Sequence, residues 1–87
     1  MGVNDDIKKD AKDKIIGYLK EKRKNGTLVE ERTIYSDMKK EKNLGIIEVM
    51  GGIRLIKDDI KNGGKDVEIT QRQGFVYYKY VGQLDQA

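Results

Sequence analysis

Residues 46–81 decide the fold, and they read IIEVMGGIRLIKDDIKNGGKDVEITQRQGFVYYKYV. The first part of this stretch predicts a helix, because apolar residues recur at steps of three and four positions. The apolar residues on that stripe are Val49, Ile53, Ile56 and Ile60. The helix pattern stops at residues 62–64, where two glycines favour a helix end. Two segments with β-strand alternation follow, and residues 71–74 join them as a hairpin.

The start of this helix is less sharply marked than its end. We expect Ile46 and Ile47 to belong to the preceding connection. Gly51 and Gly52 come next, and a glycine inside a helix costs about 1 kcal/mol relative to alanine. The glycine pair therefore marks either the true start of the helix or a place where another backbone comes close.

Two further helices are predicted before residue 46. Residues 5–24 carry an apolar stripe, and Asn25 and Gly26 then form a typical helix end. Residues 27–30 fit a capping box that opens a helix directly, and they also fit a short strand at 28–29. We favour the strand, followed by a helix over 33–42, because residues 28 and 29 do not continue the apolar register of the later helix.

The hairpin strands predict a sheet with one buried face. Val67 and Ile69 alternate with polar residues, and residues 75–81 are rich in aromatic and β-branched side chains. Alternation along the second strand defines two sets of side chains. One set is Val76, Tyr78 and Tyr80, and the other is Phe75, Tyr77 and Val81. One set must close the core, and the other is a candidate contact surface.

This order of elements resembles the winged-helix superfamily over residues 5–81. The segments that carry the resemblance are residues 35–38, 44–45, 53–60 and 63–64. The fold class that it implies is α+β, a small winged helix with three helices followed by a β-hairpin wing. We expect one domain over 1–87, with an ordered core at 5–81 and a tail at 82–87. The connection at 44–49 departs from the superfamily's tight turn, being longer and more apolar.

Composition excludes several classes of chemistry. The chain has no cysteine and no histidine, which removes disulfides, thiolate metal sites and the commonest general base. We therefore expect neither an enzyme nor a cofactor or metal. No segment is apolar enough to cross a membrane, and the first residues lack the pattern of a signal peptide. These features predict a cytoplasmic protein that does not bind membranes.

The net charge of +3 is unevenly distributed. Residues 1–26 carry eight Lys and Arg and five Asp and Glu, so the whole excess lies there. Residues 46–64 carry three of each and are neutral. A strong basic footprint is expected of a nucleic-acid-binding protein, and this one is shallow.

The winged-helix resemblance nevertheless implies candidate contacts with duplex DNA. Those on the outward side of the third helix are Arg54, Lys57, Asp58 and Lys61, and those at the hairpin tip are Gln71, Arg72 and Gln73. Arginine can read guanine, and lysines can pair with phosphates. Lys39 and Lys40 are candidates too, although cations at the end of a helix also complement its dipole. Asp58 and Asp59 would repel phosphates, and an amphipathic core helix explains the same pattern.

Two functional hypotheses follow. The first is a duplex DNA-binding protein, acting as a small transcriptional regulator or an accessory factor of a mobile element. It would need a homodimer to read a long site, because one module buries little surface. The alternative is a winged-helix module that binds a protein partner through Leu55, with Met50, or through the outward tyrosines.

Overall fold

The computed structural model describes residues 5–23 and 28–82. In chain order the elements are α1 (Asp5–Arg23), β1 (Val29–Glu30), α2 (Glu31–Lys42), α3 (Ile46–Lys61), β2 (Val67–Arg72) and β3 (Phe75–Tyr80). The three strands form an antiparallel sheet in the order β1-β3-β2. The predicted α+β class is confirmed, with three helices and a C-terminal hairpin in the described part of the chain. None of the described helices is long and apolar enough to span a bilayer.

Helix α1 begins at the predicted residue and is described as far as Arg23. It buries most of the predicted stripe, although Ile7, which was expected on that stripe, is exposed. Ala11, Ile15 and Leu19 are almost completely shielded from solvent. Acidic residues occupy its first turn and basic residues its last turn, as the helix dipole favours. The helix end predicted at Asn25 and Gly26 lies outside the described residues.

The short strand exists, but it and α2 begin at other residues than predicted. The strand is Val29–Glu30 rather than 28–29, and α2 begins at Glu31 rather than at Thr33. Val29 pairs with Tyr78 and Glu30 with Tyr77 of the central strand. This pairing with β3 determines which residues form β1, and the apolar periodicity of residues 27–42 alone does not determine it.

The connection between α2 and α3 is a turn of residues 43–45, so the prediction of a longer connection was wrong. Asn43 adopts a left-handed conformation with φ of 56°, which ends α2. The backbone N–H of Gly45 donates to Glu48 Oε1 at 2.9 Å, which caps the start of α3. Ile46 and Ile47 therefore form the first turn of α3 instead of a linker.

Gly51 and Gly52 lie inside α3, so they do not mark its start. For Gly52 the other explanation is correct, because the backbone of another helix comes close to it. A Cβ at Gly52 would lie 2.8 Å from the backbone nitrogen of Lys12 and 3.0 Å from Ala11 Cβ. The glycine thus allows α1 and α3 to approach closely. Tertiary packing here outweighs the low helix propensity of two glycines.

The end of α3 is as predicted. Gly63 has φ of 100°, and its N–H donates to the Ile60 carbonyl at 3.1 Å. The N–H of Gly64 donates to the Asp59 carbonyl at 2.7 Å. These two bonds form a Schellman motif, which directs the chain from α3 into β2.

The hairpin turn is shorter than predicted. Gln71 and Arg72 belong to β2 and pair with Val76 and Phe75. The turn consists of Gln73 and Gly74 with φ of 51° and 84°. Two positive φ values are typical of the type I′ turn, which suits the twist of a two-residue hairpin.

The sheet buries the first of the two predicted sets. Tyr78 and Tyr80 are buried, and Val76 packs against the core. Val67 is buried beside them and Ile69 partly so, as expected. On the outer face, Phe75 is exposed and Tyr77 half-buried. Gly82, the first residue of the predicted tail, donates its N–H to the Asp66 carbonyl, and residues 83–87 lie outside the described range.

Candidate nucleic-acid interface

All nine residues predicted to contact DNA are exposed. They lie on three elements. The α3 group is Arg54, Lys57, Asp58 and Lys61, the hairpin group is Gln71, Arg72 and Gln73, and the α2 group is Lys39 and Lys40. The α3 group shares one helical face, whereas the other two groups lie on separate elements.

One face of α3 is exposed along the whole length of the helix. Successive residues of a helix are rotated by about 100°, so side chains can be placed on it by position. Seven exposed residues then fall within about 120°. They are Ile46, Ile47, Met50, Arg54, Lys57, Asp58 and Lys61. We call this the α3 face; its first half is apolar and its second half is mostly cationic.

The cationic half is more positive than the sequence of α3 suggests. Arg54, Lys57 and Lys61 make no ion pair with any described residue, and Asp58 is the single acid among them. Three cations and one carboxylate give this half a net charge of +2. The helix as a whole is neutral only because it also contains Glu48 and Asp59.

Those two acids are engaged elsewhere. Glu48 accepts a hydrogen bond from the Gly45 N–H at the start of the helix. Asp59 forms an ion pair with Lys12 of α1. Both positions are rotated by more than about 100° from Arg54, so neither carboxylate lies on the α3 face. The predicted repulsion of phosphate therefore applies to Asp58 and not to Asp59.

The apolar half corrects one prediction about α3. Leu55 was expected to point outward and is partly buried. The exposed apolar residues are instead Ile46, Ile47 and Met50, at 67%, 65% and 54% exposure. Only Met50 of these was a predicted contact residue. Ile46 and Ile47 were missed because they were assigned to a linker rather than to the first turn of α3.

The hairpin tip combines an exposed aromatic ring with two arginines. Arg72 lies directly opposite Phe75 across the strands, on the outer face of the sheet. The guanidinium of Arg32 in α2 lies over the Phe75 ring, 4.8 Å from its centre. Arg32 also pairs with Glu30, with 2.8 Å between Nε and Oε1. Arg32 was not among the predicted contacts because the sequence placed it in the loop before α2.

The basic cluster at the end of α1 serves the protein's own packing. Lys20 and Arg23 lie over the ring of Tyr80, and Lys22 lies over that of Tyr18. Arg23 also donates to the Gly82 carbonyl. Lys20 and Arg23 thereby attach the end of α1 to Tyr80 of the sheet, whereas Lys22 and Tyr18 lie in the same helix.

Two buried tyrosine hydroxyls are likewise structural. The Tyr78 hydroxyl donates to Glu31 Oε2 at 2.5 Å, which joins the central strand to the first turn of α2. The Tyr18 hydroxyl donates to Asp37 and joins α1 to α2. Burial, followed by these hydrogen bonds to carboxylates, raises the pKa of both tyrosines. Neither ring is available to stack on a base.

The described residues hold no arrangement suited to a metal ion. Among residues 5–23 and 28–82, no three carboxylate, histidine or cysteine side chains come together as a ligand set. The carboxylates of the site regions are instead single or paired with cations, as Asp59 is with Lys12.

Comparison with known proteins assigns no family to this chain. No protein-family model, curated protein or solved structure matches it. The α3 face and the hairpin tip are therefore the features from which a function can be inferred.

Proposed function

We propose that this protein binds duplex DNA through the α3 face. The observation that carries the proposal is the set of three cations, Arg54, Lys57 and Lys61, on the exposed face of α3, where none of them forms an ion pair with a described residue. Two of the three acids of that helix are turned away from them. A cationic helical face whose charges are not neutralised by residues 5–23 and 28–82 suits a polyanion.

The connection between α2 and α3 supports this proposal. Two helices joined by a short turn containing glycine are typical of a helix-turn-helix, in which the second helix enters the major groove. Here the turn is residues 43–45 and includes Gly45. Together with the strand pairing of β1 and the hairpin, this turn favours the interpretation of the chain as a winged helix.

Each candidate residue has a role set by its chemistry. Arg54 would pair with the two acceptors of a guanine, and Lys57 and Lys61 with phosphates. Arg72 at the hairpin tip would contact the backbone or the minor groove. The remaining polar and basic candidates, Gln71, Gln73, Lys39 and Lys40, would add contacts to the backbone.

Such a domain would act by occupying its site on DNA. A cytoplasmic transcriptional regulator or mobile-element accessory factor of this size would act by blocking or recruiting other proteins at its site. A long site would require a homodimer, since a single module buries a small interface.

Fluorescence anisotropy of labelled random-sequence duplex DNA tests the proposal. We expect affinity in the micromolar range or tighter at low salt, falling steeply as salt rises. Lys57→Ala and Lys61→Ala should each weaken binding and reduce the slope of log affinity against log salt by about 1. Lys9→Ala removes the same charge from an exposed position on α1 and should change both quantities less. Absence of binding at low salt would rule the proposal out.

A second candidate function is supported by the apolar half of the α3 face. Exposed Ile46, Ile47 and Met50 are the kind of patch that binds another protein. In that case the chain would be a protein-binding module, and Ile47→Asp would abolish partner capture. Leu55, the residue first suggested for this role, is less suitable because it is partly covered.

A further inference from the structure

The apolar half of the α3 face is not explained by contacts with phosphate. Ile46, Ile47 and Met50 are the three most exposed large apolar side chains in the described part of the chain. They lie within the first two turns of one helix and on one face of it. Exposed apolar groups that cluster in this way mark an interaction surface.

We propose that this patch contacts thymine methyl groups in the major groove, so that the protein prefers duplexes with exposed 5-methyl groups. This inference rests on the proposed function and specifies the DNA that it would select. The C5 methyl of thymine is the apolar group that base pairs present in the major groove, and apolar side chains contact it. Ile46 and Ile47 carry the branched side chains that would cover such methyls.

The apolar and cationic halves of the α3 face match the methyl groups and the phosphates of the major groove. Met50 and Arg54 are four residues apart, and so are Ile46 and Met50, which places them in line along the helix. The groove floor offers methyl groups, and its walls are two rows of phosphates. A major groove about 12 Å wide admits one helix, and the α3 face is one helix wide. Arg54, Lys57 and Lys61 are therefore available to phosphates or guanine while the apolar half faces thymine.

The charge of the face favours DNA over a second copy of this chain. A copy docked in parallel on Ile46 and Ile47 with its own α3 face would bring Arg54 and the partner's Arg54 close together. Like charges brought together at an interface oppose association. An antiparallel copy would leave the two cationic halves at opposite ends, without a negative partner on the other copy's α3 face. A thymine-containing duplex instead supplies apolar groups and negative charge together.

The test compares short labelled duplexes that differ only in methyl groups. Alternating A·T duplexes are made with thymine or with uracil, and G·C duplexes with cytosine or with 5-methylcytosine. We expect tighter binding of each methylated duplex, by about fourfold for each methyl group that the patch buries. The double variant Ile46→Gln, Ile47→Gln should lose this preference and keep its dependence on salt. Both side chains are largely exposed, so the fold should tolerate the change.

Two controls separate the apolar half from other contacts. Phe75→Ala removes an exposed apolar ring from the hairpin tip and should leave the thymine-to-uracil ratio unchanged. Lys61→Ala removes a phosphate contact and should weaken binding of the thymine and uracil duplexes to the same extent.

Three outcomes would overturn the inference. Equal affinity for the thymine and uracil duplexes would overturn it while leaving the proposed DNA binding intact. Absence of binding to any duplex would overturn both. A dimer in sedimentation velocity that Ile47→Gln dissociates, together with a thymine-to-uracil ratio of one, would assign the patch to contact between copies.

Discussion

Gly52 of α3 packs directly against Ala11 of α1. A Cβ at position 52 would lie 3.0 Å from Ala11 Cβ and 2.8 Å from the backbone nitrogen of Lys12. Real Cβ atoms do not approach backbone so closely, so a larger residue would push the helices apart. Because α1 supports the inner side of α3, this contact also sets how far the α3 face stands from the core.

Gly52→Ala should therefore destabilise the protein. Overpacking costs about 1–3 kcal/mol, and the better helix propensity of alanine returns about 1 kcal/mol. We expect a net loss of up to about 2 kcal/mol in the free energy of unfolding, measured by urea denaturation. Gly17→Ala is the matched control, since a Cβ there meets no atom within 4 Å and should stabilise α1. A stabilising effect of Gly52→Ala would contradict the close packing.

The buried tyrosines predict an alkaline limit to stability. Burial raises the pKa of Tyr78, Tyr18 and Tyr35. A tyrosine whose pKa is higher in the folded than in the unfolded protein stabilises the fold at pH values below about 10, which is its pKa in the unfolded chain. This contribution is lost as the pH rises above that value toward the higher pKa of the folded state. The free energy of unfolding should therefore fall above about pH 10, and Tyr78→Phe should reduce that fall.

Absorbance of tyrosinate at alkaline pH provides the check. We expect part of the tyrosine absorbance change to occur only when circular dichroism shows unfolding. Ionisation of all five tyrosines in one step near pH 10, with the fold retained, would contradict the role assigned to burial.

Asp58 and Asp59 should affect DNA binding differently although they are neighbours in sequence. Asp58 lies among the cations of the α3 face, whereas Asp59 pairs with Lys12. Asp58→Asn should strengthen binding of duplex DNA at low salt by about two- to fivefold, the effect of one exposed charge. Asp59→Asn should change affinity less, in the same anisotropy assay. Equal changes in affinity for the two variants would mean that DNA does not bind to the α3 face in particular.

The hairpin turn offers a stabilising substitution. Gln73 has φ of 51°, a conformation that asparagine adopts more readily than glutamine. Gln73→Asn creates the Asn-Gly pair favoured in type I′ turns and should stabilise the protein by about 0.5–1 kcal/mol, seen as a higher Tm. Gln71→Asn is the control, because Gln71 lies in β2, and this substitution should not stabilise the protein. A lower Tm for Gln73→Asn would contradict the turn geometry.

Much of the fold was predictable because its signals are local. The stripe from Val49 to Ile60 and the alternation in residues 75–81 follow from helix and strand periodicity. The end of α3 was also correctly placed, since glycine at position 63 permits the required positive φ. The starts of α2 and α3 were placed wrongly, where the local signals compete, and the bounds of β1 and of the hairpin turn were also misplaced.

Those starts depend on contacts between distant residues. Glu31 begins α2 beside Tyr78, to which it is hydrogen-bonded across 47 residues of sequence. Helix α3 continues through two glycines because the second fits against α1. Neither contact leaves a periodic signal, and helix propensity alone favoured a later start for α3.

The sequence by itself determined the order of helices and strands, the buried stripes and the candidate cations, because these follow from residue type and spacing along one element. The tertiary structure decided which charges and apolar groups face solvent together. Asp59 is neutralised by Lys12 from another helix, and Ile46 and Ile47 join the α3 face only because the turn before them is short. Ion pairing and exposure depend on which surfaces meet in space, so a neutral sequence folds into a helix with a cationic half.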